Sequence, residues 1–216
     1  MYDFLTSTGA WIAFTIFFFG MIIRIVYLYG LSRGKDPVLY NHVDMKWGLK
    51  SILYWIIPLG SVSLRSQPVF SIVVFIFHLF LLVVPIFLMA HNLLLDEAWG
   101  VTLFSMPDML ADIMTIAVVL TGLFLLIRRI IRPEVRIITE IKDYVLLILT
   151  ILPFITGFIA YHQLGDNETF LILHIIFSEI LLILIPFTKL GHMVLFFFTR
   201  AFIGFEMGTR RGCKTW

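Results

Sequence analysis

Most of this chain's 216 residues lie in apolar stretches long enough to cross a bilayer, which needs about 20 residues of helix per crossing. Five such stretches are legible, at about 4–29, 68–95, 109–127, 144–164 and 169–198. A chain that is 60% hydrophobic and only 14% charged cannot hide that surface in a soluble core, where charged residues run at about 25%. Inside hydrocarbon every backbone polar group needs an internal partner, so such stretches must be helices. The expectation is an all-α integral membrane bundle of five transmembrane helices, forming a single membrane domain over 1–216. A shorter apolar piece, 51–64, contains Pro58 and Gly60 and is bracketed by Lys50 and Arg65. Basic residues at both ends put both ends on one side, so it reads as an interfacial or re-entrant segment.

The basic residues orient the bundle. All 16 Lys and Arg fall in three groups. Arg24, Arg33, Lys35, Lys46, Lys50 and Arg65 occupy or flank the first connection. Arg128, Arg129, Arg132, Arg136 and Lys142 flank the third. Lys189, Arg200, Arg210, Arg211 and Lys214 lie toward the end. The second connection (HNLLLDEAWGVTLFSMPD) and the fourth (HQLGDNE) hold acids and no bases. The positive-inside rule then puts the N-terminus outside and the C-terminus in the cytoplasm. MYDFLTSTGAW has no basic n-region and carries Asp3, so it reads as a span entered from outside rather than a cleaved signal. The net charge of +2 is accounted for by topology and calls for no nucleic-acid partner. The one cysteine, Cys213, excludes an internal disulfide, a self-held iron–sulfur cluster and a C-x-x-C-H haem attachment; it reads as an ordinary cytoplasmic thiol.

Four histidines stand inside the apolar stretches: His78 and His91 in the second, His174 and His192 in the fifth. A histidine in hydrocarbon is costly without a partner and is a functional hypothesis by default. Two on each of two helices is the number that holds two six-coordinate haems, bound without covalent attachment as b-type haems are. The two helices run antiparallel, which pairs His91 with His174 toward the outside and His78 with His192 toward the cytoplasm. On one continuous helix the 18 residues between His174 and His192 make five turns, leaving both on one face about 27 Å apart. The 13 residues between His78 and His91 span about 20 Å but leave them roughly 140° apart, so Pro85 or a frayed end must realign them. Pro186 has the same potential between His174 and His192.

Other polar residues have two readings each. His42 lies in a polar loop and reads as a surface residue. His162 ends the fourth helix, as an alternative ligand or a rim residue near a quinone. Glu179 is a proton or quinone group, or a structural hydrogen-bonding partner. Lys189, Arg128 and Arg129 are possible haem-propionate partners, or interfacial anchors that snorkel; Arg132 shares that reading. Asp112 opens the third helix, where a carboxylate favours the N-terminus, and reads as structural. Asp96 and Glu97 follow His91 on the side where quinol oxidation would release protons.

Taken together, these residues resemble the gamma subunit of respiratory nitrate reductase and related cytochrome b subunits, including those of membrane-bound heterodisulfide reductase and of the transmembrane redox complexes of sulfate reducers. The resemblance runs from about Phe4 to Phe198 and rests most on the spacing of His174 and His192. The wider spacing of His78 and His91 points to the heterodisulfide-reductase-like branch. The resemblance implies a dihaem cytochrome b of anaerobic respiration in a bacterial or archaeal cytoplasmic (inner) membrane. Electrons would pass between menaquinone or another quinone and a cytoplasmic iron–sulfur subunit, like that of heterodisulfide reductase or the nitrate reductase beta subunit. An extracytoplasmic cytochrome c is a further partner of such complexes. The tail FEMGTRRGCKTW carries no soluble domain, so chemistry on a soluble substrate is expected from a separate chain. Two other classes compete: a haem-free membrane anchor, and a small proton-coupled transporter, which would ordinarily show a repeat or broken helices at the midplane.

Overall fold

A computed structural model describes residues 2–214 and 216, whose regular structure is helical with no strand among them. Six helical stretches are long and apolar enough to cross a membrane: Tyr2–Lys35, Pro68–Phe87, Asp108–Ile131, Ile141–Tyr161, Asn167–Phe187 and Lys189–Arg210. The protein is therefore a multi-pass helical membrane protein. The count is six rather than the expected five, because the fifth apolar stretch is broken in two. The chain divides into two compact units, one made of Met1–Ile72 with Glu179–Trp216, the other of Val73–Ser178.

In the first unit a helical turn (Tyr2–Phe4) and a π-helical turn (Leu5–Gly9) lead into helix α1, Ala10–Lys35. Asp36 and Pro37 end it, since the residue before a proline is pushed out of the helical region. Helix α2, Met45–Ile56, starts at Asp44, whose carboxylate accepts from the Lys46 and Trp47 amides at 2.8 and 3.4 Å. Its 12 residues rise about 18 Å, too short to span. The predicted interfacial segment 51–64 is thus the second half of α2, a turn, and the short helix Val62–Arg65.

The second unit is entered along α3, Pro68–Phe87, and contains α4 (Met89–Trp99), α5 (Asp108–Ile131), α6 (Ile141–Tyr161) and most of α7 (Asn167–Leu184). Its core is Phe77, Val84, Met106, Ala111, Met114, Val118, Ile151 and Phe154. Gly122 lets α5 and α6 close on each other: a Cβ there would lie 2.6 Å from Ile151 Cδ1. Buried Asn92 ties α4 to the following loop by donating to Phe104 O at 3.3 Å and Ser105 Oγ at 2.9 Å.

Two breaks correct the expected spans. The second stretch, expected at 68–95, stops at Phe87; Leu88 is extended (φ −69°, ψ 133°) and α4 starts afresh. The fifth, expected at 169–198, leaves the α-helix at Leu184 and passes through two short 3₁₀ turns, Ile185–Phe187 and Lys189–Gly191. It restarts as α8, His192–Gly204, in the first unit. Pro186 removes an amide from the helical ladder, and Thr188, extended, caps the next turn by accepting from Leu190 N at 3.3 Å. Arg24 of α1 closes the break by donating to Pro186 O and Thr188 O, each at 2.7 Å. His174 and His192 therefore do not share one helix, and the five-turn register does not apply. Within the first unit α8 packs on α2 through small residues: a Cβ at Gly204 would lie 2.6 Å from Trp47 O, and Ser51 is fully buried.

Candidate functional site

The second unit brings His91 and His174 together, with ring centroids 6.0 Å apart and planes 20° from parallel. Both rings are half-buried. Each is held from behind by a proline carbonyl. His91 Nδ1 lies 2.8 Å from Pro85 O, one of the four last-turn carbonyls of α3 that have no partner inside their own helix. His174 Nδ1 lies 2.8 Å from Pro153 O of α6. A carbonyl only accepts, so the proton is on Nδ1 and the lone pair on Nε2 of both rings.

Gly157, one turn after Pro153, makes the room. A Cβ on it would stand 2.8 Å from His174 Nδ1 and 2.9 Å from Cε1. The ring of His174 therefore lies flush on the α6 backbone, where the Pro153 carbonyl reaches it.

The other two histidines are oriented the same way by local backbone. His78 Nδ1 is 2.8 Å from Val74 O, one turn back on α3, and His192 Nδ1 is 2.8 Å from Lys189 O in the preceding 3₁₀ turn. Both are exposed. His78 belongs to the second unit and His192 to the first. All four rings thus carry their proton on Nδ1. A ligating histidine usually donates its other nitrogen to a backbone carbonyl or carboxylate, which sets the ring's orientation and raises its basicity.

Two imidazoles of that tautomer are nitrogen donors of the kind that a haem iron would take. Among the described residues no group of three or more His, Cys, Asp or Glu could hold a metal.

The remaining predicted residues scatter. His162 donates from Nε2 to Asp112 Oδ1 at 2.9 Å, so it is engaged at the ends of α6 and α5 and does not replace His91 beside His174. Asp112, read from sequence as structural, is its partner. Asp96 lines a separate cavity of about 200 Å³ with Asn92 and Ser105. Glu179 packs on Gly9 in the first unit, with its Oε1 buried and unbonded among the described residues. Arg129 donates to Thr139 Oγ1 at 3.4 Å, and its carbonyl accepts from the Tyr144 hydroxyl at 3.1 Å. Arg128 stands beside it in the last turn of α5, and Lys189 opens the second 3₁₀ turn. Sequence reasoning missed Gly157 and the acceptor role of Pro153. Both sit in LPFITGFIAY, where a proline and a glycine four residues on, inside a span, were the available signal.

The chain is 38% identical over 219 residues to a protein of Nitratidesulfovibrio vulgaris (strain Hildenborough), an alignment covering 100% of this chain and 97% of that one. The two belong to one family. The relative's name states no activity. No family model matches the chain, and no solved structure matches it.

Proposed function

We propose that the protein is a dihaem cytochrome b subunit that passes electrons between a membrane quinone and a cytoplasmic iron–sulfur partner. The observation that carries the reading is the His91–His174 pair: parallel rings 6.0 Å apart, each fixed by a proline carbonyl in the tautomer that leaves Nε2 to ligate. The second haem is proposed from the sequence alone, on His78 and His192. Bound haem would supply reversible one-electron storage at iron. The chain's own residues hold the imidazoles and set their basicity through the Nδ1–H bonds. Crossing about 30 Å of hydrocarbon calls for two such sites in series. Lys189, Arg128 and Arg129 remain the cations proposed for the propionates.

The basic residues support an N-terminus outside and a C-terminus in the cytoplasm. We place the sixth apolar stretch, Lys189–Arg210, beside α2 on the cytoplasmic side without a full crossing. It is the least apolar of the six, it carries Lys189, Arg200 and Arg210, and it packs on a helix too short to span. Five crossings then remain.

The test is the haem content of the purified chain, read by pyridine haemochrome and a reduced-minus-oxidised spectrum. Two b-type haems per chain are expected, and one in His174→Ala. A wild-type chain with no b-type band ends the proposal.

A further inference from the structure

Helix α2 has a face that the rest of the chain leaves open. Its sequence, MKWGLKSILYWI, includes no acid. At about 100° per residue its side chains sort into sectors. Trp47, Gly48, Ser51 and Trp55 form one, which packs on α8 and the turn after it. Ala201 and Phe205 lie against Gly48, Gly208 lies against the Trp47 ring, and Arg200 stands over the Trp55 ring. Met45, Leu49, Leu53 and Ile56 form a second, an aliphatic stripe about 80° wide. All four are exposed, at 65%, 52%, 54% and 41%. Lys46 and Lys50, one turn apart, border the stripe directly and are exposed as well.

The membrane is the surface within reach of that stripe. Met45 stands ten residues after Lys35, where α1 ends, and Pro68, which opens α3, stands twelve after Ile56. Both α1 and α3 are long and apolar enough to cross a bilayer, so α2 is tethered close to the bilayer at both ends. A short helix with an apolar face beside a basic border lies in the plane of the interface, apolar side down. A docked protein fits the face less well. The anchors of protein interfaces are chiefly Trp, Tyr and Arg, whereas Trp47 and Trp55 are turned onto α8 and the stripe is aliphatic.

The lysines select the lipid. With the stripe in the acyl layer, residues at its border reach the headgroup level. The Lys50 ammonium lies 5.8 Å from the centre of the Trp47 ring, on the side away from the stripe. Asp44, the acid nearest in sequence, caps the helix by accepting from the Lys46 and Trp47 amides. Two ammonium groups on a helix without acids complement a head with net negative charge.

We propose that α2 is an in-plane binding site for anionic phospholipid, with Met45, Leu49, Leu53 and Ile56 among the acyl chains and Lys46 and Lys50 on the headgroup phosphates. This rests on neither haem nor quinone, so its failure leaves the cytochrome reading in place.

The experiment uses the full chain, delipidated in detergent and given equal amounts of phosphatidylglycerol and phosphatidylcholine with matched acyl chains. Native mass spectrometry reads the retained lipids. A lysine near an anionic surface is worth about fivefold, so the wild type should retain phosphatidylglycerol over phosphatidylcholine by about tenfold or more. The double variant Lys46→Gln/Lys50→Gln should bring that ratio close to equality, and Lys46→Arg/Lys50→Arg should restore it. Arg132→Gln/Lys142→Gln, which removes the same charge elsewhere, should keep the wild-type ratio. Circular dichroism should show unchanged helix content in all three, which separates a lost site from a lost fold. A wild type without preference, or a preference that survives Lys46→Gln/Lys50→Gln, overturns the proposal. Loss of a co-purifying soluble subunit from that variant, with the lipid ratio unchanged, would give the face to a protein partner instead.

Discussion

His174 shows how much a single side chain's surroundings decide. Its type and place in an apolar stretch mark it as costly and functional, but its orientation depends on two other residues of another helix. The Pro153 carbonyl fixes the tautomer and Gly157 admits the ring. Gly157→Ala puts a methyl within 2.8 Å of Nδ1, so the ring must leave its acceptor. The expected outcome is loss of one haem per chain with helix content unchanged, read by haemochrome assay and circular dichroism. Gly157→Ser should do the same. His91 has the parallel dependence on Pro85, though its acceptor comes from the end of a helix rather than the middle. His162, read from the sequence as an alternative ligand or a rim residue, is committed elsewhere because a carboxylate faces its Nε2.

At the scale of elements, breaks carry the design. Pro85 and Pro186 were legible as places where an apolar helix could bend, and both lie beside real interruptions. The 140° between His78 and His91 on one ideal helix does not apply, because Leu88 turns extended and α4 starts afresh. The in-phase spacing of His174 and His192 is a coincidence of counting, because no single helix joins them. Helix α8 instead lies against α2, where Arg200 stacks 3.5 Å over the Trp55 ring. Arg200→Ala removes that contact, which is worth roughly 1–2 kcal/mol when partly desolvated; a lower midpoint in thermal unfolding in detergent checks it. Gly204→Leu should cost more, about 1–3 kcal/mol by overpacking, because Trp47 backbone lies within 2.6 Å of the added Cβ. Gly122→Leu should act likewise at the α5–α6 contact, where Ile151 is the obstacle. In each case the melting midpoint falls without any change in the optical spectrum at room temperature.

The whole molecule is governed by the asymmetry of its charges, a property of the entire chain that no single contact reveals. Cys213, its one thiol, is exposed near the C-terminus, so it is a ready topological probe. In sealed right-side-out membranes it should resist a membrane-impermeant maleimide and react once the membranes are opened. Labelling of intact membranes would put the C-terminus outside and make Lys189–Arg210 a sixth full crossing. The sequence by itself determined the membrane class, the four apolar histidines and the grouping of the basic residues in alternate connections. These follow from composition and linear order, because hydrocarbon excludes unpaired backbone and bare charge whatever the fold. Tertiary structure alone decided that the fifth stretch breaks, which carbonyls orient the paired His91 and His174, and that Asp112 belongs to His162. Those depend on where a carbonyl is left without a partner and where a missing Cβ lets a ring approach, and both are set by neighbours distant in the chain.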